Sequence, residues 1–107
     1  MAMNDTYAES EPRRTEVDAL PGHVLLEFGA PWCEHCQAAQ PLLAKALHGQ
    51  PLHHLKIEDG PKRRLGRSFQ VKLWPTLILL RDGQEIARCV RPTGIEELQS
   101  LLQSVNA

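Results

Sequence analysis

Two cysteines stand where an apolar run meets an amphipathic run, and this junction constrains the fold more than any other feature. Residues 23–29 are apolar at most positions apart from Glu27, which is the pattern of a strand in the middle of a sheet. Cys33 and Cys36 follow directly, and residues 34–47 then place apolar side chains along one helical stripe. The predicted stripe consists of Ala38, Leu42, Leu43, Ala46 and Leu47. The sequence therefore predicts a buried strand that leads into a helix through the cysteine pair.

The spacing of Cys33 and Cys36 favours a redox pair over a metal site or a structural staple. Cys33 is expected at or beside the helix N-cap, where unpaired N–H groups and the helix dipole favour a thiolate over a thiol. The thiolate is the nucleophile of thiol–disulfide exchange. His35, between the cysteines, can add positive charge or donate a hydrogen bond to the Cys33 sulfur. Trp32 is expected to shield the pair and to offer an apolar surface to a polypeptide substrate.

Length, net charge and cysteine count further limit the classes of function that the chain can have. A chain of 107 residues forms one domain, and its net charge of −1 argues against a general nucleic-acid binder. No apolar run approaches the length needed to cross a bilayer, and the first residues carry no secretory signal pattern. Three cysteines are too few for a disulfide scaffold. We therefore expect a cytoplasmic protein that binds neither nucleic acid nor membrane.

Periodicity and turn residues predict an α/β fold, with a mixed sheet of four to five strands and helices on both faces. Helices are expected over about residues 12–20, 34–47 and 61–69, and after a capping box at residues 93–96. Strands are expected over about residues 23–29, 52–58, 77–80 and 85–90, with a weakly signalled fifth strand near residues 6–8. Asp82-Gly83 predicts a tight hairpin between the last two strands. Residues 1–14 are predicted to be a flexible segment, and residues 15–107 the folded domain.

The order of these elements, together with the motifs, resembles the thioredoxin family over about residues 15–105. The residues that carry the resemblance are Phe28, Ala30, Trp32, Cys33, Cys36, Pro41, Pro75-Thr76 and Asp82-Gly83. The combination of Trp-Cys-x-x-Cys with a distant Pro-Thr is a specific signal, whereas Cys-x-x-Cys alone is not. The resemblance implies the thioredoxin-like fold for residues 15–107 and a redox function for the cysteine pair.

The resemblance also implies further site residues. The family's proline before the late strand is cis, which assigns a cis bond to Trp74-Pro75. In the family this loop lies beside the cysteines and pairs with the substrate backbone, so Trp74, Pro75 and Thr76 are expected to bind substrate. Glu27 stands at the family's buried acid, and a buried carboxyl group there would exchange a proton with Cys36.

Several positions depart from the family pattern. Glu34-His35 replaces the usual Gly-Pro between the cysteines and is similar to protein disulfide isomerase and periplasmic oxidants at the histidine. This leaves the direction of electron flow open. His54 stands for a family lysine near the acid, while Gly29 and Arg91 replace a family tryptophan and glycine near the active surface. The substrate-binding surface is therefore expected to differ from that of typical thioredoxins.

Other interpretations of the same residues are weaker. A zinc site would need His53-His54, whose adjacent strand positions point to opposite faces. His48, His53 and His54 are interpreted as ordinary surface or half-buried residues, and Cys89 as a small core residue. The basic run over residues 62–67 is most simply a solvated helix face, and the alternative is a docking surface for an acidic partner.

The predicted function is that of a protein thiol–disulfide oxidoreductase with Cys33, Cys36 and Glu27 as catalytic residues. No Gly-rich phosphate loop is present, so we expect no bound cofactor and a separate redox partner that regenerates the pair. The chain is expected to act as a monomer. The alternative is a non-enzymatic, chaperone-like interaction module that uses the apolar surface of Trp32, Trp74 and Pro75.

Overall fold

The computed structural model describes residues 3–106, and its elements follow the predicted order. The helices are α1 (Arg14–Asp18), α2 (Glu34–Leu47), α3 (Leu65–Ser68) and α4 (Ile95–Leu101), with a final 3₁₀ turn at Gln103–Asn106. The strands are β1 (His23–Gly29), β2 (His53–Glu58), β3 (Thr76–Arg81) and β4 (Gln84–Val90). Within the described residues, no helix is both long and apolar enough to span a bilayer.

The four strands form one mixed sheet in the order β2-β1-β3-β4. Strand β1 pairs in parallel with β2 and antiparallel with β3, and β3 pairs antiparallel with β4. The possible fifth strand near residues 6–8 is not formed, although the Ala8 N–H donates to the Lys56 carbonyl at 2.9 Å on the outer side of β2. The predicted α/β fold with a mixed sheet is thus confirmed, with four strands.

Helices cover both faces of the sheet, as the apolar pattern predicts. Side chains of β1 alternate, so that Val24, Leu26 and Phe28 join one core cluster while Leu25 joins the other. The first cluster is closed by α1, α3 and the residue after α3, through Val17, Leu65 and Phe69. The second cluster is closed by α2, α4 and the 3₁₀ turn, through Ala39, Leu43, Leu47, Leu98, Leu101 and Val105. The cysteine pair follows the end of β1 and lies at the first turn of α2.

Some local predictions are wrong. Ala38 is exposed rather than on the core stripe of α2, whose buried residues are Cys36, Ala39, Leu43 and Leu47. Helix α3 is much shorter than residues 61–69, because Lys62 adopts a positive φ of 68° that a helix cannot contain. Helix α1 begins at Arg14, with Arg13 as its N-cap, and is shorter than the predicted residues 12–20.

At the start of α4 the capping acid is Glu97 rather than Glu96. Its carboxylate accepts hydrogen bonds from Thr93 N–H, Thr93 O–H and Gly94 N–H at 2.8 to 3.1 Å. The predicted capping interaction is therefore present but shifted by one residue.

The segment before α1 makes defined contacts with the domain. The Glu11 carboxylate accepts hydrogen bonds from the Arg64 and Leu65 N–H groups, both at 3.0 Å, and so caps α3. The flexibility assigned to residues 1–14 stays a prediction.

Candidate active site

Cys33 is the N-cap of α2, as predicted. Its backbone is extended (φ −79°, ψ 118°), and its sulfur accepts a hydrogen bond from the Cys36 N–H at 3.2 Å. Cys33 is 7% exposed and Cys36 is 2% exposed, so Cys33 is the less buried of the two. Both are free thiols. A negative charge on the Cys33 sulfur would be stabilised by this N–H and by the helix start.

The environment of Cys36 favours the opposite protonation state. Burial raises the pKa of the Cys36 thiol to about 12, with further contributions from its hydrogen bond to Cys33 and from the charges of Cys33 and Glu27. Near neutral pH, Cys36 is therefore a thiol that must lose a proton before it can attack.

Glu27 is fully buried below the cysteine pair, which confirms the burial predicted from its apolar neighbours. Its Oε1 lies 2.9 Å from His54 Nε2, and its Oε2 accepts a hydrogen bond from Gln40 Nε2 at 2.9 Å. The same Gln40 nitrogen donates to the Cys36 carbonyl at 2.8 Å, which links the acid to the helix turn that holds Cys36. Both oxygens of Glu27 therefore face N–H groups.

His54 has a defined tautomer, assigned from its hydrogen bonds. The Asn4 N–H donates to His54 Nδ1 at 2.8 Å, so that nitrogen carries a lone pair and Nε2 carries the proton. His54 is then neutral and donates to Glu27. Its interpretation as an ordinary strand residue is wrong, whereas the resemblance had placed it correctly beside the acid. His53 is exposed, on the opposite face of β2.

Lys56 and Gln40 extend this buried network, and both were missed from the sequence. Lys56 Nζ donates to Gln40 Oε1 at 3.0 Å and lies 4.7 Å above the Tyr7 ring. Lys56 follows His54 by two positions and is the parallel partner of Glu27 in the sheet. The period of two along β2 was the only available signal that both side chains lie on the face of the sheet that carries the acid.

Gly29 lets the N-terminal segment and the second cysteine approach one another. A Cβ atom at this position would lie 2.5 Å from Cys36 Sγ and 3.3 Å from the Tyr7 hydroxyl oxygen. Burial raises the pKa of Tyr7, and the charges of Cys36 and Glu27 add to the effect. Tyr7 was also missed, because nothing near it in the sequence indicates a contact with residue 29.

The Trp74-Pro75 peptide bond is cis, as the resemblance implied, and it lies beside the cysteines. Trp74 is half-buried and packs on the cluster of Ala30, Cys33 and Cys36. Its indole N–H donates to Asp59 Oδ2 at 2.9 Å, and its ring meets that of Trp32 edge-on at 5.4 Å. Trp32 is 69% exposed, which suits the substrate contact expected of it.

Two side chains differ from their expected arrangement. Thr76 is buried and its hydroxyl donates to the Leu73 carbonyl at 2.6 Å, so its side chain cannot contact a substrate directly. Among the described residues, the hydrogen bond to Cys33 Sγ comes from Cys36 N–H and not from His35, which is exposed. Electrostatic tuning by His35 and a substrate contact by the backbone near Pro75 stay predictions.

Comparisons with known proteins agree with this geometry. The thioredoxin family model matches residues 6–106. The structure of reduced thioredoxin 2 from Pseudomonas aeruginosa PAO1 is similar with a TM-score of 0.85 and 56% identity, covering 96% of each chain. Thioredoxin from Chlamydia trachomatis is 34% identical over 87 residues, which cover 79% of this chain and 81% of that protein.

Longer proteins match over a part of their length. Protein disulfide-isomerase of Gallus gallus is 36% identical over 70 residues, which cover 61% of this chain but 14% of that protein. Thioredoxins are thiol–disulfide oxidoreductases that act on protein disulfides and are reduced by a reductase partner. With a family model that spans nearly the whole chain, the fold and the cysteine pair lead to one conclusion: this chain belongs to the thioredoxin family.

Proposed function

We propose that this protein exchanges a Cys33–Cys36 dithiol with disulfides of substrate proteins. The observation that carries the proposal is the asymmetry of the pair. Cys33, the less buried of the two, is a helix N-cap and accepts an N–H hydrogen bond, while Cys36 is more deeply buried and has a raised pKa. Cys33 is therefore the cysteine that attacks the substrate disulfide, and Cys36 reacts in the second step.

In the reducing direction, the Cys33 thiolate attacks one sulfur of the substrate disulfide. A mixed disulfide forms between Cys33 and the substrate, and the other substrate sulfur leaves as a thiolate that takes a proton from water. The substrate backbone pairs with the loop at Trp74 and Pro75, and the exposed Trp32 covers the reacting sulfurs.

In the second step, the Cys36 thiol gives its proton to the Glu27 carboxylate, directly or through a water molecule. The Cys36 thiolate attacks Cys33 Sγ, and the second substrate sulfur leaves as a thiolate. The substrate has gained two electrons, and the protein now holds a Cys33–Cys36 disulfide. The same steps in reverse oxidise a substrate dithiol.

The test is insulin disulfide reduction by the native chain, Cys33→Ser and Cys36→Ser, with dithiothreitol as the electron source. We expect both variants to lose catalysis, and Cys36→Ser to accumulate a mixed disulfide that mass spectrometry detects. Cys89→Ser is the matched control, because Cys89 lies on β4, two strands from β1 and outside the cluster that holds the pair, and it should keep native activity.

The competing function is an interaction module that holds clients on the surface of Trp32, Trp74 and Pro75. It predicts that Cys33→Ser behaves like the native chain and that Trp32→Ala alone abolishes binding. Equal insulin reduction by native and Cys33→Ser protein would contradict the oxidoreductase proposal.

We further propose that the protein works as a cytoplasmic monomer and is regenerated by a reductase. The small number of cysteines supports a reducing compartment. Sedimentation of the purified chain would test the oligomeric state, since a concentration-dependent dimer would contradict it.

A further inference from the structure

A groove beside the cysteine pair is bordered by basic side chains. It encloses about 390 Å³ and is lined by His35, Ala38, Leu42, Arg91, Pro92 and Thr93. None of the lining residues is acidic. The nearby acid Glu97 already accepts hydrogen bonds from Thr93 and Gly94. Glu34, next to His35, does not line the groove. The groove therefore combines an apolar wall with two groups that can carry positive charge.

Arg91 is held in place at both its backbone and its side chain. Its N–H donates to the Pro75 carbonyl at 2.9 Å, and its Nε donates to the Trp74 carbonyl at 2.8 Å. Its φ of 49° lies in the left-handed region, which costs a non-glycine residue about 1 kcal/mol. The local contacts thus keep a strained arginine where glycine would be relaxed.

The terminal nitrogens of Arg91 make no hydrogen bond or ion pair with any described residue. Only Nε is used, so the other side of the guanidinium group is free for a ligand in the groove. A guanidinium group fixed by one edge is preorganised to bind a carboxylate through two parallel hydrogen bonds. The Trp74 carbonyl keeps a second lone pair for a substrate N–H.

We propose that Arg91 selects substrate polypeptides that carry an aspartate or glutamate next to the reacting cysteine. The inference rests on the proposed exchange at Cys33, since the substrate chain would run along the Trp74-Pro75 loop and bring that side chain to Arg91. The guanidinium group binds the carboxylate in the groove that His35 also lines. Ala38, Leu42 and Pro92 contact the aliphatic part of the acidic side chain.

The test uses three disulfide peptides that differ only in the residue next to one cysteine: glutamate, glutamine or lysine. The value of kcat/KM is measured for the native chain and for Arg91→Gln, with insulin reduction as the general activity. We expect the native chain to prefer the glutamate peptide over the glutamine peptide by about fivefold, the effect of a partly exposed ion pair. Arg91→Gln should reduce the preference to below about twofold, and high salt should weaken it in the native chain.

Arg81→Gln is the matched control, because Arg81 is an exposed arginine at the far end of β3 from Pro75. It should keep the native preference. Arg91→Lys retains the charge but loses the planar group, and we expect an intermediate preference. An equal ratio of kcat/KM values in the native chain and Arg91→Gln overturns the selectivity and leaves the exchange function intact. Reduction of none of the peptides, nor of insulin, by the native chain overturns both proposals.

Discussion

The buried side chain of Glu27 is contacted by two side-chain N–H groups. His54 Nε2 and Gln40 Nε2 each face one of its oxygens, and neither donor carries a formal charge. Lys56 reaches the acid only through Gln40, whose Oε1 it binds. Within the described residues, Glu27 is thus contacted by the side chains of His54 and Gln40, and the Lys56 ammonium group binds Gln40 instead. Such a carboxylate can take up a proton without leaving a bare positive charge beside it.

This arrangement predicts that Glu27→Gln slows the second step of exchange. Glutamine cannot accept the Cys36 proton, so resolution of a mixed disulfide at Cys33 should slow about a hundredfold near neutral pH. The rate is measured by acid quenching and mass spectrometry, with the urea midpoint recorded to verify folding. Glu58→Gln, on the half-buried end of β2, is the control and should resolve at the native rate. A native rate in Glu27→Gln would exclude Glu27 as the proton acceptor.

The thiol of Cys36 predicts a loss of stability at alkaline pH. Its pKa rises from 9.0 to about 12 because of burial, so the folded state binds the proton more tightly than the unfolded chain. The resulting stabilisation is complete below pH 9 and is lost as pH rises toward 12, at up to about 1.4 kcal/mol per pH unit.

Urea unfolding of the reduced protein across this range, compared with Cys36→Ala, isolates the contribution of this thiol. Tyr7 also has a raised pKa, mainly because of its burial, which both proteins share; the smaller contribution from the charge of Cys36 is lost in Cys36→Ala. Parallel pH profiles of the two proteins would contradict the assignment.

Whether a site residue can be predicted from the sequence depends on how far along the chain its contacts lie. The positions of Cys33 and Cys36 follow from local features, a strand end and a helix start, which are visible in the sequence. Asn4 and Tyr7 contact the site from 50 and about 20 residues away, at His54 and Gly29 respectively. Such contacts depend on how the N-terminal segment lies along the outer side of β2, and no local pattern specifies that.

Among the elements, the β3–β4 hairpin has a turn whose two residues both contact the segment that contains α1 and the loop after it. Asp82 and Gly83 both have positive φ, 49° and 82°, as a two-residue hairpin requires. Asp82 also exchanges hydrogen bonds with Gly22: its N–H donates to the Gly22 carbonyl, and its carboxylate accepts from the Gly22 N–H. A Cβ on Gly83 would lie 2.2 Å from the Asp18 carbonyl oxygen at the end of α1.

Gly83→Ala should therefore destabilise the protein by about 3 kcal/mol, since backbone strain and a clash with the backbone of α1 add. Gly49→Ala is a matched control: its φ is 72°, but no atom lies within 4 Å of the added Cβ. It should cost only the strain, about 1 kcal/mol. Chemical denaturation measures both, and equal losses would show that the contact with α1 does not matter.

The elements that the sequence predicts best are those with several agreeing signals. Strand β1 and helix α2 have the predicted bounds, because an apolar run, a capping cysteine and a terminal Gly49 all agree. The predicted length of helix α3 is too great. Basic residues have good helix propensity, but the chain at residues 60–64 forms turns instead. The shift from Glu96 to Glu97 at α4 reflects an N-cap at Gly94, one residue later than the threonine suggested.

For the whole molecule, the sheet separates two apolar clusters and β1 belongs to both. All of β1 after His23 is buried, and it pairs with neighbours on both sides. Strand β4 has one paired side and alternates between exposed and half-buried residues. The β1 strand therefore marks the most stable part of the fold.

Hydrogen exchange should reflect this difference. Amides of β1 are expected to exchange only through global unfolding, so their rates should rise steeply when small amounts of denaturant are added. Amides on the outer side of β4 should exchange through local opening, with little dependence on denaturant. Similar denaturant dependence in the two strands would contradict this ranking.

Trp32 and Trp74 are the only two tryptophans in the chain, and their rings meet edge-on beside the cysteine pair. Because a nearby disulfide quenches excited indole, the intrinsic fluorescence of the unlabelled protein is an internal optical reporter of its oxidation state. Emission should brighten when the Cys33–Cys36 bond is reduced, and replacing Trp74 by phenylalanine should remove most of that change. Redox titrations and rapid-mixing traces can then be recorded on the native chain without an added dye.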